Sequence, residues 1–324
     1  MKKRTLALIV VIFTVVTLAL TYGVNAAYNH ATQKKNKFNE VPDHITVCNF
    51  GSSHGLYGYN YEELEENHVC FNFALDSQTL SYDERILDTY ISRIDKGAAV
   101  FLTVSYFSLF GIDETETDQF QKVNTRYYEF LPVTKVKGYD LYTDIMTYRL
   151  KSLSAGPENV IRAILKGTDE KSDWESSSDQ IWQRTAFDIN VKSNAEAAAN
   201  RHIVKERRDE TGALIRNEEE IDALKSMIRK IQSIGATPYL ITTPYLKEYS
   251  DAIVETDPSF YSAFYGLVRE ITDETGAAYH DYARESYFYG RYDLFINADH
   301  LNERGAAVFT GFLYDDILKE HFGE

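Results

Sequence analysis

Residues 45–58, ITVCNFGSSHGLYG, place two hydroxyl groups and an imidazole directly after a short apolar run. The run is rich in β-forming residues and ends at Gly51, which predicts a buried strand followed by a turn. A serine nucleophile needs a base within hydrogen-bonding reach and an acceptor that orients this base. Ser53 is therefore a candidate nucleophile, and backbone N–H groups at the start of a helix there could hold an oxyanion.

A second polar stretch near the C terminus, DLFINADHLNERG (293–305), could supply the base. His300 lies just before the last predicted helix, and Asn297 and Asp299 stand beside it. Neither stretch is specific alone, because Gly-Ser turns often follow strands and because Asp and Asn often cap helices. Their combination, after the first strand and before the last helix of one sheet, indicates a catalytic site.

Short apolar runs separated by helical patterns must position these residues. The predicted strands are 44–50, 68–75, 98–106, 236–245 and 277–283, and the clearest helices are 81–95, 217–234, 258–275 and 303–321. Strands that alternate with helices predict an α/β fold with a mostly parallel five-stranded sheet flanked by helices. Ligands bind beyond the carboxyl ends of the strands in such a sheet, and both polar stretches fall at those ends.

Residues 107–216 interrupt the alternation of strands and helices. Strand patterns precede and follow this segment, so we expect a largely helical insertion within one domain, 44–324, rather than a separate domain. Within the insertion, the polar stretch 167–179 is typical of a loop. Residues 27–43 are polar and lack periodicity, which predicts a tether ahead of the domain.

The N terminus, MKKRTLALIVVIFTVVTLALTYGV, places basic residues before an uncharged apolar run. The run has about 17 residues, close to the lower limit for a membrane-spanning helix. We therefore expect residues 1–26 to form an uncleaved anchor; the alternative is a cleaved signal peptide, for which VNAA at 24–27 offers suitable small residues. Both interpretations place residues 28–324 outside the cytoplasm, because basic residues at the start hold that end inside.

Composition limits the partners and the redox chemistry. The net charge is −15, which argues against nucleic-acid binding, since that requires basic residues to displace counterions. The same charge argues against adhesion of the globular part to an anionic lipid surface. Cys48 and Cys70 permit a disulfide in an exported chain, but free buried cysteines are equally ordinary in short strands, so their pairing stays open.

Three blocks of the chain resemble those of the SGNH (GDSL-type) hydrolases. They are FGSSH (50–54), NFALDSQTLSYD (72–83) and INADHLNERGA (296–306). The most similar group is the membrane-anchored bacterial one that includes D-alanine transfer proteins of teichoic acid systems and alginate O-acetyltransferases. The resemblance covers 45–106 and 236–320, and it implies a flavodoxin-like three-layer sandwich.

The resemblance also implies roles for single residues. Gly51-Ser52-Ser53 matches the Gly-Asp-Ser block, which makes Ser53 the nucleophile and Ser52 the weaker choice, and His300 matches the family base. The family acid usually lies two or three residues before the histidine. The residue three positions before His300 is Asn297, so Asp299, or Asp281 at the end of the fifth predicted strand, would have to supply the carboxylate.

The oxyanion hole departs from the family pattern. Ala74 or Ser77 stands near the place of the family's oxyanion-hole glycine. The family asparagine that follows the third strand is missing from VSYFSLFG (104–111), and Asn72 and Gln78 are the candidate substitutes for it. The further residues that we expect at the substrate are Ser52, His54 and Tyr106.

We therefore expect an extracytoplasmic serine esterase or O-acyltransferase that acts on a cell-surface polysaccharide or teichoic-type polymer. An acyl donor and a membrane acyl-transfer partner would accompany it. We expect no cofactor or metal, because the sequence lacks the His-x-His and His-x-x-x-His spacings of metal sites. The alternative is a catalytically inactive SGNH-like domain that binds glycan or scaffolds an envelope assembly, which Asn297 and the missing asparagine motivate.

Overall fold

The computed structural model describes residues 3–111, 125–139, 142, 149–167, 171–172, 190–203 and 208–324. The chain divides into two units. One consists of Met1–Glu40 with Thr115–Ser176, and the other of Val41–Glu114 with Ser177–Glu324. The expected insertion, 107–216, is therefore divided, because its central part groups with the N-terminal helix while its flanks group with the sheet. The predicted loop at 167–179 lies almost entirely outside the described residues.

The sheet unit contains five parallel strands in the order β2-β1-β3-β4-β5, which confirms the predicted fold class. The strands are β1 (Ile45–Phe50), β2 (Cys70–Asn72), β3 (Ile94–Thr103), β4 (Thr237–Thr242) and β5 (Ala278–Asp281). Strand β1 lies between β2 and β3. The connection after β1 leads to β2 on one side, whereas the connection after β3 leads to β4 on the other side. The carboxyl ends of β1 and β3 therefore flank the crevice in which doubly wound sheets bind ligands.

Helices flank the sheet in the order that the sequence predicts, with one addition. The helices of both units are α1 (Lys3–Thr32), α2 (Ser53–Gly58), α3 (Leu80–Tyr90), α4 (Lys151–Ala155), α5 (Pro157–Lys166), α6 (Val191–His202), α7 (Glu218–Ser233), α8 (Lys247–Thr256), α9 (Phe260–Thr275), α10 (Glu303–Leu313) and α11 (Lys319–Phe322). Helix α8 is the addition, since its short amphipathic pattern follows β4 closely. The Asn217 side chain caps α7 by accepting a hydrogen bond from the Glu220 N–H.

The two faces of the sheet take alternate residues of each strand. Val47 pairs in register with Cys70 on β2, and both residues lie in the apolar cluster that includes Phe309 of α10. Cys48 follows Val47 along β1, so its side chain points to the opposite face. Both cysteines are buried and free, because residues on opposite faces of a sheet cannot form a disulfide.

The N-terminal unit contains α1. Its segment Arg4–Thr32 is long and apolar enough to span a membrane. Helix α1 continues to Thr32, so the first part of the predicted tether is helical. The rest is also ordered: Lys37–Glu40 form a single 3-10 turn, in which Phe38 stacks on Phe130 with ring centroids 3.8 Å apart. A buried aromatic contact therefore holds part of this segment against the unit, and its role as a tether ahead of the sheet domain stays a prediction.

The turn that follows β1 depends on Gly51. Its φ of +144° is accessible to glycine but strained for other residues, and a Cβ there would lie 2.7 Å from Cβ of Thr103. Its N–H donates to Oδ1 of Asp83, and its carbonyl oxygen accepts from the Leu75 N–H and from the Gln78 amide. These bonds fix the point at which the chain leaves the sheet and enters α2.

We predict that Gly51→Ala lowers the free energy of unfolding by about 3 kcal/mol, because the methyl group clashes with β3 and the backbone is strained. Gly266→Ala is the matched control, since Gly266 is exposed on α9 and a Cβ there meets nothing within 4 Å. The control is expected to stabilise the protein by up to about 1 kcal/mol. Denaturant unfolding of both variants measures the difference, and equal stabilities would contradict the assignment of Gly51.

Candidate active site

Ser53 and His300 meet at the carboxyl edge of the sheet. Ser53 is the first residue of α2, directly after β1, and His300 lies in the loop between β5 and α10. The Ser53 Oγ atom lies 2.7 Å from Nε2 of His300, which is hydrogen-bonding distance. The two residues that the sequence singles out for nucleophile and base are thus adjacent, although 247 positions separate them.

Asn297 fixes the orientation of the His300 ring. Its Oδ1 lies 3.0 Å from Nδ1 of His300, and it also accepts hydrogen bonds from the backbone N–H groups of Asp299 and His300 at 3.1 and 2.9 Å. An amide oxygen only accepts, so Nδ1 of a neutral His300 carries the proton. Nε2 then presents its lone pair to the hydroxyl group of Ser53, as a general base requires.

Asp299 supplies a charge behind the same ring. Its Oδ1 lies 3.3 Å from Nδ1 of His300, and its side chain is only 1% exposed. Within the described residues, this oxygen has no hydrogen-bond partner, so it acts on the imidazole through its charge. Asp281, the other candidate acid, instead accepts a hydrogen bond from the Tyr265 hydroxyl group at 2.6 Å.

The ionisation of this pair follows from its surroundings. Burial lowers the pKa of His300, but the neighbouring carboxylates, Asp299 first and then Asp76, together outweigh burial, and the pKa lies above the ordinary imidazole value. Burial raises the pKa of Asp299, but His300 and then His54 outweigh it and hold this pKa well below its usual range. The carboxylate therefore stays ionised and favours a proton on His300.

His54 lies on the other side of Asp299. Its Nε2 is 3.4 Å from Oδ2 of Asp299, and its Nδ1 is 2.8 Å from the Ser105 hydroxyl oxygen and 2.9 Å from that of Tyr245. Burial lowers the pKa of His54, so the ring is neutral. Because the carboxylate only accepts, Nε2 of His54 carries the hydrogen and Nδ1 accepts from the two hydroxyl groups. His54 thus supports Asp299 from behind and, being buried, is not placed to contact a substrate.

His202, on α6, is a member of this cluster that the sequence did not reveal. Its Nε2 lies 3.9 Å from Oδ2 of Asp299, and its Nδ1 is 2.6 Å from the Tyr249 hydroxyl oxygen. Burial lowers its pKa to about 3, so it remains neutral. The packing of α6 against α8 brings His202 close to Asp299. Neither the motifs nor the periodicity of the sequence gave a signal for this packing.

Two amides that were expected to contact substrate brace the turn instead. The Asn72 amide donates to the carbonyl oxygens of Gly55 and Leu56 at 3.1 and 3.2 Å. The Gln78 amide donates to the carbonyl oxygen of Gly51 at 3.3 Å. Both side chains therefore hold the backbone around the nucleophile, and neither presents its N–H groups to a ligand.

Three other expected substrate contacts are also buried. The Ser52 hydroxyl group lies 3.3 Å from that of Ser105, and the Ala74 N–H donates to Oδ1 of Asn72. Tyr106 is fully buried and packs against the rings of Tyr245, Tyr249, Tyr261, Phe260 and Phe264. Ser52, Ala74 and Tyr106 therefore make internal hydrogen bonds and apolar contacts that support the site.

Ser77 is the expected substrate contact that is exposed. It lies in the turn closed by the Gln78 N–H and the Leu75 carbonyl oxygen at 3.2 Å, and its φ is +52°. Among the described residues other than glycine, Ser77 alone has a positive φ, a conformation that favours glycine. Ser77 is one of the two residues, with Ala74, that were expected in place of an oxyanion-hole glycine.

His54, Asp299 and His300 also place ligand-type atoms within 4.8 Å of one another, as a metal site would. The hydrogen-bond pattern fits a proton-bearing arrangement better. Nδ1 of His300 already donates to Asn297, and Nε2 of His54 faces the carboxylate with its own hydrogen. Coordination through these two nitrogens would require both imidazole rings to change tautomer, so the hydrogen bonds favour the proton-bearing arrangement.

The sequence matches no protein-family model, and a search of curated proteins also finds no match. The geometry of the site is therefore the basis for its chemistry. That geometry comprises a serine hydroxyl group, an imidazole base, an amide that sets the tautomer and a buried carboxylate.

We predict that His300 titrates above the ordinary imidazole pKa of about 6.5 and that Asp299→Asn lowers this value. The reason is that the neutral amide no longer favours the protonated ring. His202 serves as the internal reference, since it is expected to stay neutral down to a pH of about 3 or to the pH at which the protein unfolds. Imidazole ¹⁵N chemical shifts measured against pH test both statements, and an unchanged His300 pKa in Asp299→Asn would contradict the role of the carboxylate.

Proposed function

We propose that the chain is an extracytoplasmic serine esterase or O-acyltransferase that acts on a cell-surface polysaccharide or teichoic-type polymer. The observation that carries the proposal is the 2.7 Å contact between Oγ of Ser53 and Nε2 of His300. A serine hydroxyl group alone is a weak nucleophile, and such a base activates it for acyl transfer.

In the first half of the reaction, Oγ of Ser53 attacks the acyl carbonyl carbon while its proton moves to Nε2 of His300. The imidazolium forms against Asp299, whose charge stabilises it, while Oδ1 of Asn297 keeps the ring in place. The N–H groups of Ser53 and Ser77 are the candidate donors to the oxyanion, since the first N–H groups of α2 lack intrahelical acceptors.

In the second half, His300 gives its proton to the departing alcohol and an acyl ester remains on Ser53. An acceptor hydroxyl group, or water, then loses its proton to Nε2 of His300 and attacks the acyl carbonyl carbon. Oγ of Ser53 leaves and regains a proton from His300, so the enzyme returns to its starting state. Transfer and hydrolysis differ only in which acceptor reaches the acyl-enzyme.

Asn297 stands where the family that the chain resembles usually has its acid, but we infer that both functions of that acid are still provided. In the usual triad, one carboxylate both fixes the tautomer and stabilises the imidazolium. Here we infer that the two tasks are divided, with the amide of Asn297 fixing the tautomer and the charge of Asp299 stabilising the cation. This division favours an active enzyme over an inactive binding domain.

The location outside the cytoplasm is part of the proposal. It is supported by α1, which is long and apolar enough to span a membrane, and by the basic residues that precede its apolar run. A tethered enzyme suits a polymer that is also held at the cell envelope. A separate membrane protein would then be needed to deliver acyl groups, because the described part of this chain has one helix that could span a membrane.

The first test is reaction of the full-length chain in detergent with a fluorophosphonate ester, followed by intact-mass analysis. We expect one adduct on Ser53, no adduct in Ser53→Ala, and a strong loss of labelling in His300→Ala. Ser286→Ala is the control, because it removes an exposed serine other than the proposed nucleophile. This variant should be labelled to the same extent as the wild type. If the folded wild-type protein gives no adduct, the proposal fails and the catalytically inactive glycan-binding alternative replaces it.

The second test separates the two residues behind His300 by turnover of a simple acetyl ester. Asp299→Asn should lower kcat by less than the roughly 10⁴-fold seen where one acid also fixes the tautomer, because Asn297 still does so. Asn297→Ala should also lower kcat, whereas Asn297→Asp restores an acceptor at the same place and should retain activity. The kcat/KM of the wild type should fall as the pH drops through the raised pKa of His300. Equal rates in Asn297→Ala and wild type would contradict the division of tasks.

A further inference from the structure

Helix α5 has an apolar face that the protein only partly covers. Within the N-terminal unit, Val160 is buried, whereas Ile161 and Leu165 are 60% and 79% exposed and Ile164 is also exposed. These positions share one side of the helix because they follow its 3.6-residue period. Exposed apolar side chains on one helix face indicate a contact with something outside the described residues of this unit.

The neighbour of α5 is the apolar helix α1. Both α4 and α5 pack against α1. The carbonyl oxygen of Arg149, just before α4, accepts hydrogen bonds from the side-chain amides of Asn25 and Asn29. Oδ1 of Asn25 in turn accepts from the N–H and hydroxyl groups of Ser152 at 3.2 and 3.0 Å.

These bonds place α4 and α5 at the end of the apolar run of α1. Asn25 is the first strongly polar residue after that run, and it is only 5% exposed because α4 covers it. A helix that spans a bilayer leaves the hydrocarbon region where its apolar run ends. The α4 and α5 segment therefore lies at the level of the membrane surface on the C-terminal side of α1.

The segments that contact or adjoin the end of α1 have a local excess of basic residues. Residues 27–40 and 149–167 contain seven basic and two acidic residues, although Thr115–Ser176 as a whole contains nine basic and ten acidic ones. On α5, Arg162 and Lys166 occupy the side opposite the apolar face. Basic residues beside an apolar helix face are the pattern of a helix that lies in the interface of an anionic membrane.

A cleft of about 370 Å³ in the same unit adds to this pattern. Its lining includes His30, Lys34, Arg149 and Lys151, together with one acid, Glu129. A predominantly basic cleft next to the end of a membrane-spanning helix suits the phosphate group of an anionic lipid.

We propose that α5 is an interfacial membrane helix, which inserts Ile161, Ile164 and Leu165 into the outer leaflet and places its basic residues among anionic headgroups. The apolar surface of α5 then continues that of α1, and the bilayer covers both. This interaction does not depend on the chemistry of Ser53. It also favours an uncleaved α1, since cleavage at 24–27 would remove the helix against which α4 and α5 pack.

The test measures the depth of α5 in vesicles that contain the full-length chain. Single cysteines are introduced by Ile161→Cys and Leu165→Cys, with Asn159→Cys on the polar side of α5 as the matched control, and each is labelled with the fluorophore NBD. The parent chain, whose two cysteines are buried, is treated in parallel as the blank. The vesicles contain phosphatidylcholine with or without phosphatidylglycerol.

We expect NBD at positions 161 and 165 to be quenched at least about twofold more by doxyl-labelled lipid than NBD at 159, and to be protected from aqueous iodide. Arg162→Glu together with Lys166→Glu should reduce this protection in anionic vesicles and have less effect in neutral ones. Circular dichroism checks that the variants stay folded. Equal iodide quenching at 159, 161 and 165 would overturn the proposal and would leave a protein partner as the occupant of this face.

Discussion

A buried carboxylate surrounded by imidazoles is the constraint on which the rest of the site depends. Asp299 is 1% exposed, and its two oxygens face His300 on one side and His54 and His202 on the other. An ionised group in such a place is tolerated only where partners compensate for the lost water. The neutral rings supply polarity, and His300 supplies a compensating charge when it is protonated. The buried carboxylate therefore favours the protonated form of His300, which is the form that a proton transfer from Ser53 would produce.

This constraint explains why elements distant in the sequence must converge. Asp299 and His300 come from the loop after β5, His54 from the first turn of α2, and His202 from α6 on the far side of the inserted segment. The parallel sheet brings the loop after β5 and the first turn of α2 to the same edge, because the carboxyl ends of all its strands point the same way. Gly51 and Asp83 then set the direction in which α2 leaves that edge, and the position of Ser53 follows from it.

The sequence was sufficient for what depends on local pattern. Periodicity predicted all five strands and the order of their helices. The position of two polar stretches at the same edge of the predicted sheet, together with the family resemblance, predicted that Ser53 and His300 are partners. It was insufficient where a side chain's role depends on tertiary packing. Asn72, Gln78 and Tyr106 were expected at the substrate because they follow strand ends, but packing turned them into internal supports. His202 escaped notice because no local signal reports the contact between α6 and α8.

Net charge is a limited guide for a related reason, since a sum over the chain has no spatial resolution. A total of −15 argues against adhesion of the globular part to an anionic surface, but it does not describe the basic residues Lys34, Arg149 and Lys151 that line one cleft beside α1. Electrostatic attraction to a membrane falls off within about a Debye length, roughly 8 Å at physiological ionic strength. Only charges at the membrane surface contribute to it, so acidic residues farther away do not cancel the basic ones beside α1. The relevant quantity is therefore the local charge close to the membrane surface, and not the sum over the chain.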